Sequence, residues 1–146
     1  MFAGVGPFAI LISKRTHSRV YAIDINPDAI KFLKINTRLN KANIVILEGD
    51  ARERIRDVDR PADRVIMNLP ERSVEFIPYA LQAVGRDAYL HIYVFAKEHE
   101  FPREVKDLVM QSMSSVRILQ IEPRIIGEVA PRKYLVCVDV FVRKDY

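Results

Sequence analysis

Short apolar runs and amphipathic stretches alternate along the chain. Residues 20–24 (Val-Tyr-Ala-Ile-Asp), 44–47 and 64–67 are apolar runs of strand length bounded by turn-forming residues. Between them, residues 5–14 and 29–40 place apolar side chains at helical period. Pro27 suits a first helical position, and Asn26 before it can cap the exposed N–H groups. Residues 52–60 mix both charges and predict a short exposed helix and a loop. A helix is expected at 75–84, an alternating strand at 88–95 and a last helix at 102–113. Residues 116–121 and 134–142 predict a closing antiparallel pair around the turn-rich stretch 127–131.

Alternation of this kind predicts an α/β architecture with a mostly parallel sheet, as one domain over residues 1–146. No repeat, linker or low-complexity stretch interrupts it. The chain opens on Met1-Phe2-Ala3-Gly4-Val5-Gly6-Pro7-Phe8, a glycine-rich turn of the type that joins a first buried strand to a helix. The strand that should feed Gly4 is missing or reduced to Met1-Phe2. In a doubly wound sheet that strand is central, so its neighbours are expected to carry unpaired backbone groups.

Composition narrows the class. Hydrophobic residues make up 49% of the 146, which is globular. The formal charge of +4 suits a polyanionic partner better than a membrane. Apolar runs fall far short of the ~20 residues that span a bilayer, and no secretory leader pattern opens the chain. The single cysteine, Cys137, has no internal partner and sits in an apolar alternating run, so it is expected in the core. A cytoplasmic protein is the expectation.

Every candidate segment falls at the C-terminal end of a predicted strand, the edge along which open α/β sheets bind ligands. Gly4 and Gly6 let backbone N–H groups approach a ligand. A dinucleotide fingerprint would place a third glycine soon after, but Pro7, Phe8 and Ala9 follow, which argues against NAD. A tight strand–helix turn would use the same glycines without any ligand. Asp24, ending the second strand, can accept both hydroxyl protons of a ribose; a helix-capping or surface aspartate is the bland alternative. Asp50 can accept from an adenine amino group while Ala51 offers its N–H, or it can simply end a turn.

Asn68-Leu69-Pro70 speaks to a substrate, because an amide side chain presents donor and acceptor together, as a nucleobase edge does. Proline fixes the backbone there and can leave the Asn68 and Leu69 carbonyls pointing outward. A plain strand-ending turn is the alternative. The basic residues say less. Arg52, Arg54, Arg56, Arg60 and Arg64 interleave with acids and read as a self-paired face, whereas Arg124, Arg132 and Lys133 near the last hairpin are better exposed. Lys14, Arg15, His17 and Arg19 cluster after the first helix. His17, His91 and His99 show no metal-ligand spacing, so no metal site is expected. Tyr89 and Tyr93 share a strand face. No Ser–His–acid or Cys–His arrangement is recognisable.

Together, residues 1–8, Tyr21-Ala22-Ile23-Asp24-Ile25-Asn26-Pro27-Asp28-Ala29, Gly49-Asp50-Ala51-Arg52 and the run from Ala62 to Pro70 resemble one family. They are similar to the catalytic domain of the archaeal and eukaryotic tRNA guanine-N1 methyltransferases that modify the base 3′ of the anticodon. Ala130-Pro131 and residues 134–140 resemble that domain's final hairpin. The resemblance implies a Rossmann-like class I methyltransferase fold, S-adenosylmethionine (AdoMet) as methyl donor and tRNA as substrate. It places Gly4 and Gly6 at the methionine end, Asp24 at the ribose and Asp50 with Ala51 at the adenine. Phe2, Ile25 and Asn68 join the cofactor-binding residues. Asn68 and Pro70 would position the target guanine.

The implied reaction is in-line displacement of the sulfonium methyl by guanine N1, which needs a general base and a donor to O6. Full-length members carry a tRNA-binding N-terminal domain, the first strand, and the glutamate and arginine proposed for those two roles ahead of this region. The expectation is a fragment, or a mis-started reading frame, that binds cofactor and methylates poorly alone, with a missing N-terminal domain or a partner chain completing the sheet. Alternatives are the wybutosine-pathway enzyme that transfers the aminocarboxypropyl group of the same cofactor, and a non-catalytic partial domain binding adenosyl ligands or RNA. A nicotinamide enzyme is a distant third.

Overall fold

A computed structural model describes residues 1–145. The chain divides into two compact units, Met1–Asp59 and Arg60 onward. The first contains α1 (Pro7–Thr16), β1 (Val20–Asp24), α2 (Pro27–Leu39), β2 (Ile44–Glu48) and α3 (Ala51–Arg54). β1 and β2 pair in parallel from Val20↔Ile44 to Asp24↔Glu48. Residues 1–6 form no strand; Ala3 N–H reaches β1, donating to the Ile23 carbonyl at 2.9 Å.

Local chemistry sets the ends of these helices. α1 starts at Pro7, two residues later than expected, because Gly6 in the left-handed region (φ 94°) closes the turn and Pro7 fits the first helical position. α2 starts as expected. Asn26 is extended, its side chain accepts from Asp28 N–H at 3.0 Å, and Pro27 follows. Ala9, Ala22, Ile30 and Leu33 form the core of this unit, with Ala3, Val20, Ile44 and Ile46 packed against it.

The second unit contains β3 (Ala62–Met67), α4 (Ile77–Ala83), β4 (Val84–Lys97), α5 (Arg103–Gln111), β5 (Arg117–Ala130) and β6 (Lys133–Arg143). Its sheet has the order β3-β4-β6-β5. β3 and β4 run parallel, and β4–β6 and β5–β6 are antiparallel. Parallel pairing thus accounts for β1–β2 and β3–β4, and the closing hairpin supplies the antiparallel part.

Two expectations change here. The helix expected at 75–84 is a 3-10 turn (Ser73–Phe76) followed by α4, with Pro78 in its first turn, and Val84 already opens β4. The stretch 127–131 is mostly strand, since β5 continues to Ala130. Three register shifts in the β5–β6 ladder, one between Ile125 and Gly127, let the irregular residues stay paired. Pro123 is tolerated because β5 is an edge strand.

Strict alternation builds the core of this sheet. Leu90, Ile92 and Val94 of β4 and Val136, Val138, Val140 and Val142 of β6 are fully buried. The opposite face of β4 carries half-buried Tyr89, His91, Tyr93 and Phe95. Cys137 is buried, as its apolar run predicts. Among the described residues no helix is long and apolar enough to cross a membrane.

Candidate functional site

Asp24 organises the end of β1. Its Oδ2 accepts the Gly4 N–H at 2.7 Å, and its Oδ1 accepts the Asn26 N–H at 2.9 Å. The Asp24 carbonyl accepts from Gly49 N–H at 2.8 Å, which ties the ends of β1 and β2 together. One carboxylate therefore fixes the glycine turn and the start of the next helix. Each carboxylate oxygen has two lone pairs, so the two internal bonds leave capacity for two ribose hydroxyls. Burial pushes the Met1 amino group down to about 6, while the Asp24 charge pulls it the other way.

The two glycines of the turn do different work. Gly4 (φ 56°) has open space where a Cβ would lie, which leaves its backbone free to be approached. A Cβ on Gly6 (φ 94°) would collide with Leu33 Cδ1, so that glycine serves the packing of α1 against α2. Phe2 is half-buried and also has positive φ (59°). Ile25, directly after Asp24, is 66% exposed.

At the end of β2, Asp50 is extended and caps α3, accepting from Arg52 N–H at 2.9 Å. The Arg52 guanidinium also grips this carboxylate, with Nη2 2.5 Å from Oδ2. Asp50 is therefore already engaged where the sequence predicts an acceptor for adenine. Ala51 is buried and, as the first residue of α3, has an N–H with no intrahelical acceptor.

Asn68-Leu69-Pro70 lies in the second unit, directly after β3. The exposed Asn68 side chain has no partner among the described residues. The expectation of an outward Leu69 carbonyl is corrected: it accepts from Arg72 N–H at 2.9 Å and from Ser73 N–H at 2.7 Å. Ser73 is fully buried, and its Oγ lies 2.8 Å from the Met67 carbonyl while accepting from Leu69 N–H at 3.1 Å. Sequence reasoning missed Ser73, because a lone serine six residues past a strand carries no signal.

A polar network on the half-buried face of the second sheet was equally hidden. Asp139 receives His91 Nδ1 at 2.6 Å on Oδ1 and Arg124 at 2.7–2.8 Å on Oδ2. Arg64 lies 3.0 Å from His91 Nε2 and stacks over Tyr89. Burial alone would raise the Asp139 carboxyl, but the bonds from His91 and Arg124 outweigh it and hold it below the usual range. Donor atoms of His91, Cys137 and Asp139 lie within 4.8 Å of one another, a grouping that spacing along the chain does not reveal. Burial and the Asp139 charge push the Cys137 thiol up to about 11, so it stays protonated at neutral pH, and Arg124 already neutralises Asp139. That chemistry is an ion-pair network and a poor cation cage.

Of the interleaved arginines, Arg52 pairs with Asp50 and Arg54 with Asp57, and outside that group Arg19 pairs with Asp59. In the last hairpin Arg132 lies 3.9 Å from Glu98, and Lys133 sits over Phe95.

Parallel α/β units with a glycine turn, an acid at the end of the next strand and a second acid just after the strand beyond it define an AdoMet-dependent methyltransferase fold. The chain belongs to the family of the TRM5/TYW2 methyltransferase domain, which matches residues 1–119. The protein of Pyrococcus abyssi named tRNA (guanine(37)-N(1))-methyltransferase Trm5b is 39% identical over 144 residues, covering 95% of this chain and 42% of that protein. The Trm5b of Methanocaldococcus jannaschii is also 39% identical, over 99% of this chain and 40% of that one. The chain thus spans about two fifths of the length of these relatives. The crystal structure of P. abyssi Trm5b matches with a TM-score of 0.83 at 38% identity, over 98% of this chain and 43% of that chain. M. jannaschii TYW2 in complex with AdoMet matches with a TM-score of 0.85 at 27% identity, over 99% of this chain and 67% of that chain.

Proposed function

We propose that this chain carries the AdoMet-binding half and the base-positioning turn of a tRNA guanine-N1 methyltransferase acting beside the anticodon. One observation carries the cofactor reading: the Asp24 carboxylate holds the Gly4 N–H at 2.7 Å and keeps lone pairs to spare. In this reading Gly4 lies against the methionine end and Asp24 accepts the ribose hydroxyls. Ile25 and the Ala51 N–H meet the adenine, with Asp50 braced by Arg52, while Phe2 and Gly6 shape the turn. The family match over residues 1–119 takes in the whole first unit and the second as far as Leu119, which supports reading both as one methyltransferase domain.

Bound AdoMet supplies a methyl group on a sulfonium centre. Guanine N1 forms the new C–N bond as the S–C bond breaks, and its proton must pass to a base. Asn68 offers a free amide to the guanine edge, with Pro70 stiffening the backbone behind it. The resemblance assigns the base and the O6 donor to segments outside these residues. A tRNA substrate and a cytoplasmic setting go with this reading. Its support is the 39% identity to two proteins named for guanine-37 methylation, and a solved complex of a related Trm5 with tRNALeu, matched at a TM-score of 0.75.

A second reading has its own observation. A relative in Saccharolobus solfataricus, 37% identical, is named tRNA 4-demethylwyosine(37)-methyltransferase Taw21. The test has two steps. Calorimetry with S-adenosylhomocysteine is expected to give micromolar binding; none by a folded chain removes the cofactor reading. Mass analysis of nucleosides from treated tRNA then separates methylguanosine from a methylated wyosine precursor and from an aminocarboxypropyl adduct. Cofactor binding with no transfer to any tRNA would favour a non-catalytic domain.

A further inference from the structure

In the first unit, a half-open cavity of about 180 Å³ is lined by Ser13, Lys14, His17, Ser18, Lys41 and Asn43. It lies at the C-terminal end of α1. The ten residues of that helix put it roughly 15 Å from the glycine turn at the other end. We propose that this cavity seats a backbone phosphate of bound RNA, a contact that positions the nucleic acid without reading its sequence. The proposal rests on the tRNA reading above.

Charge carries the argument. Four cations of this unit pair with acids, Arg19 with Asp59, Lys34 with Glu48, Arg52 with Asp50 and Arg54 with Asp57, while Arg15, Lys31, Arg38 and Arg56 have no acidic partner among the described residues. Lys14 and Lys41 also have no acidic partner among the described residues, and they are set apart by bordering one hollow whose lining holds no acid. Positive groups gathered around one hollow repel each other unless an anion sits between them.

Helix dipoles favour cations at helix C-termini, which accounts for Lys14 in the last turn of α1. They do not account for the neutral donors beside it. Thr16 Oγ1 lies 2.9 Å from both the Ile12 carbonyl and Ser18 Oγ, and the Asn43 side-chain amide is unengaged. The floor is fixed as well. Buried Ser13 Oγ accepts the Asn43 N–H at 2.9 Å and lies 3.3 Å from the Asn43 carbonyl. Lysine and side-chain amide donors on a fixed floor are suited to holding a phosphodiester.

The test uses the full chain. Inorganic phosphate, followed by amide NMR, is expected to shift Ser18, Lys41 and Asn43, and the shifts should vanish in Lys14→Gln/Lys41→Gln. With tRNA across a potassium chloride series, that double variant should bind about tenfold more weakly at low salt. Its log–log salt slope should fall by about 1, the signature of one lost phosphate contact. Lys14→Arg/Lys41→Arg keeps the charge and should keep the slope, and binding of S-adenosylhomocysteine should be equal in all three. No phosphate shift overturns the site. Phosphate shifts with an unchanged tRNA slope overturn the RNA contact and leave an adventitious anion site. If the wild type binds S-adenosylhomocysteine but no tRNA, the seat fails and the cofactor reading stands. If it binds neither, the functional reading fails first and takes the seat with it.

Discussion

Asp24 and Asn68 are both short polar residues at the end of a parallel strand, and their surroundings are opposite. Around Asp24, both carboxylate oxygens hold backbone N–H groups, so the loop keeps its shape before any ligand arrives. Asn68 holds nothing; Ser73, five residues on, organises that turn from inside. In the first region the binding group and the structural group are one residue. In the second they are two, so substrate contact and turn stability can be altered separately.

The sharpest way to break this comparison is the pair Asp24→Ala and Asn68→Ala. The first removes an anionic acceptor of two backbone bonds and should weaken S-adenosylhomocysteine about 100-fold in calorimetry, or ~3 kcal/mol. Asn68→Ala should leave the unfolding free energy within about ±0.5 kcal/mol of wild type and act on methyl transfer alone. Equal loss of stability in both variants would end the distinction.

Next come the glycines. Gly6→Ala meets both the left-handed strain and Leu33, and should destabilise by about 2–4 kcal/mol in denaturant unfolding. Gly4→Ala meets only the strain, about 1–2 kcal/mol, yet it should lower ligand affinity more than stability alone explains. Ser73→Ala orphans the half-buried Leu69 N–H and should cost about 1–3 kcal/mol.

The smallest effect is expected at Asp139. Its carboxyl is held below the usual value, so it stabilises the fold above the unfolded pKa of about 3.9 and loses that contribution as pH falls through the folded value. Asp139→Asn should therefore lower stability by ~1–2 kcal/mol at neutral pH, and the gap to wild type should close in acid. A gap that widens in acid would contradict the pairing with His91 and Arg124.

What was legible in the sequence follows from where the determinants lie. Asn26-Pro27-Asp28 announces α2 because capping acts within three residues. Cys137 reads as core because alternation is local. The His91–Asp139 contact joins residues 48 apart, brought together by the β4–β6 ladder, and no local pattern encodes that pairing. Gly127 suggests a turn by propensity, yet the partner strand overrides it through a register shift. Gly6 is a glycine for either of two reasons, and only the position of Leu33 decides which applies.

Pro123 has a meaning beyond the chain's own fold. β5 exposes Leu119, Ile125, Ile126 and Val129 along an edge that another strand could extend. At crowded concentrations such an edge is a template on which identical molecules can stack, and a residue with no N–H to offer breaks the template midway. The same proline that the hairpin merely tolerates acts, toward every neighbouring molecule, as a guard against polymerisation.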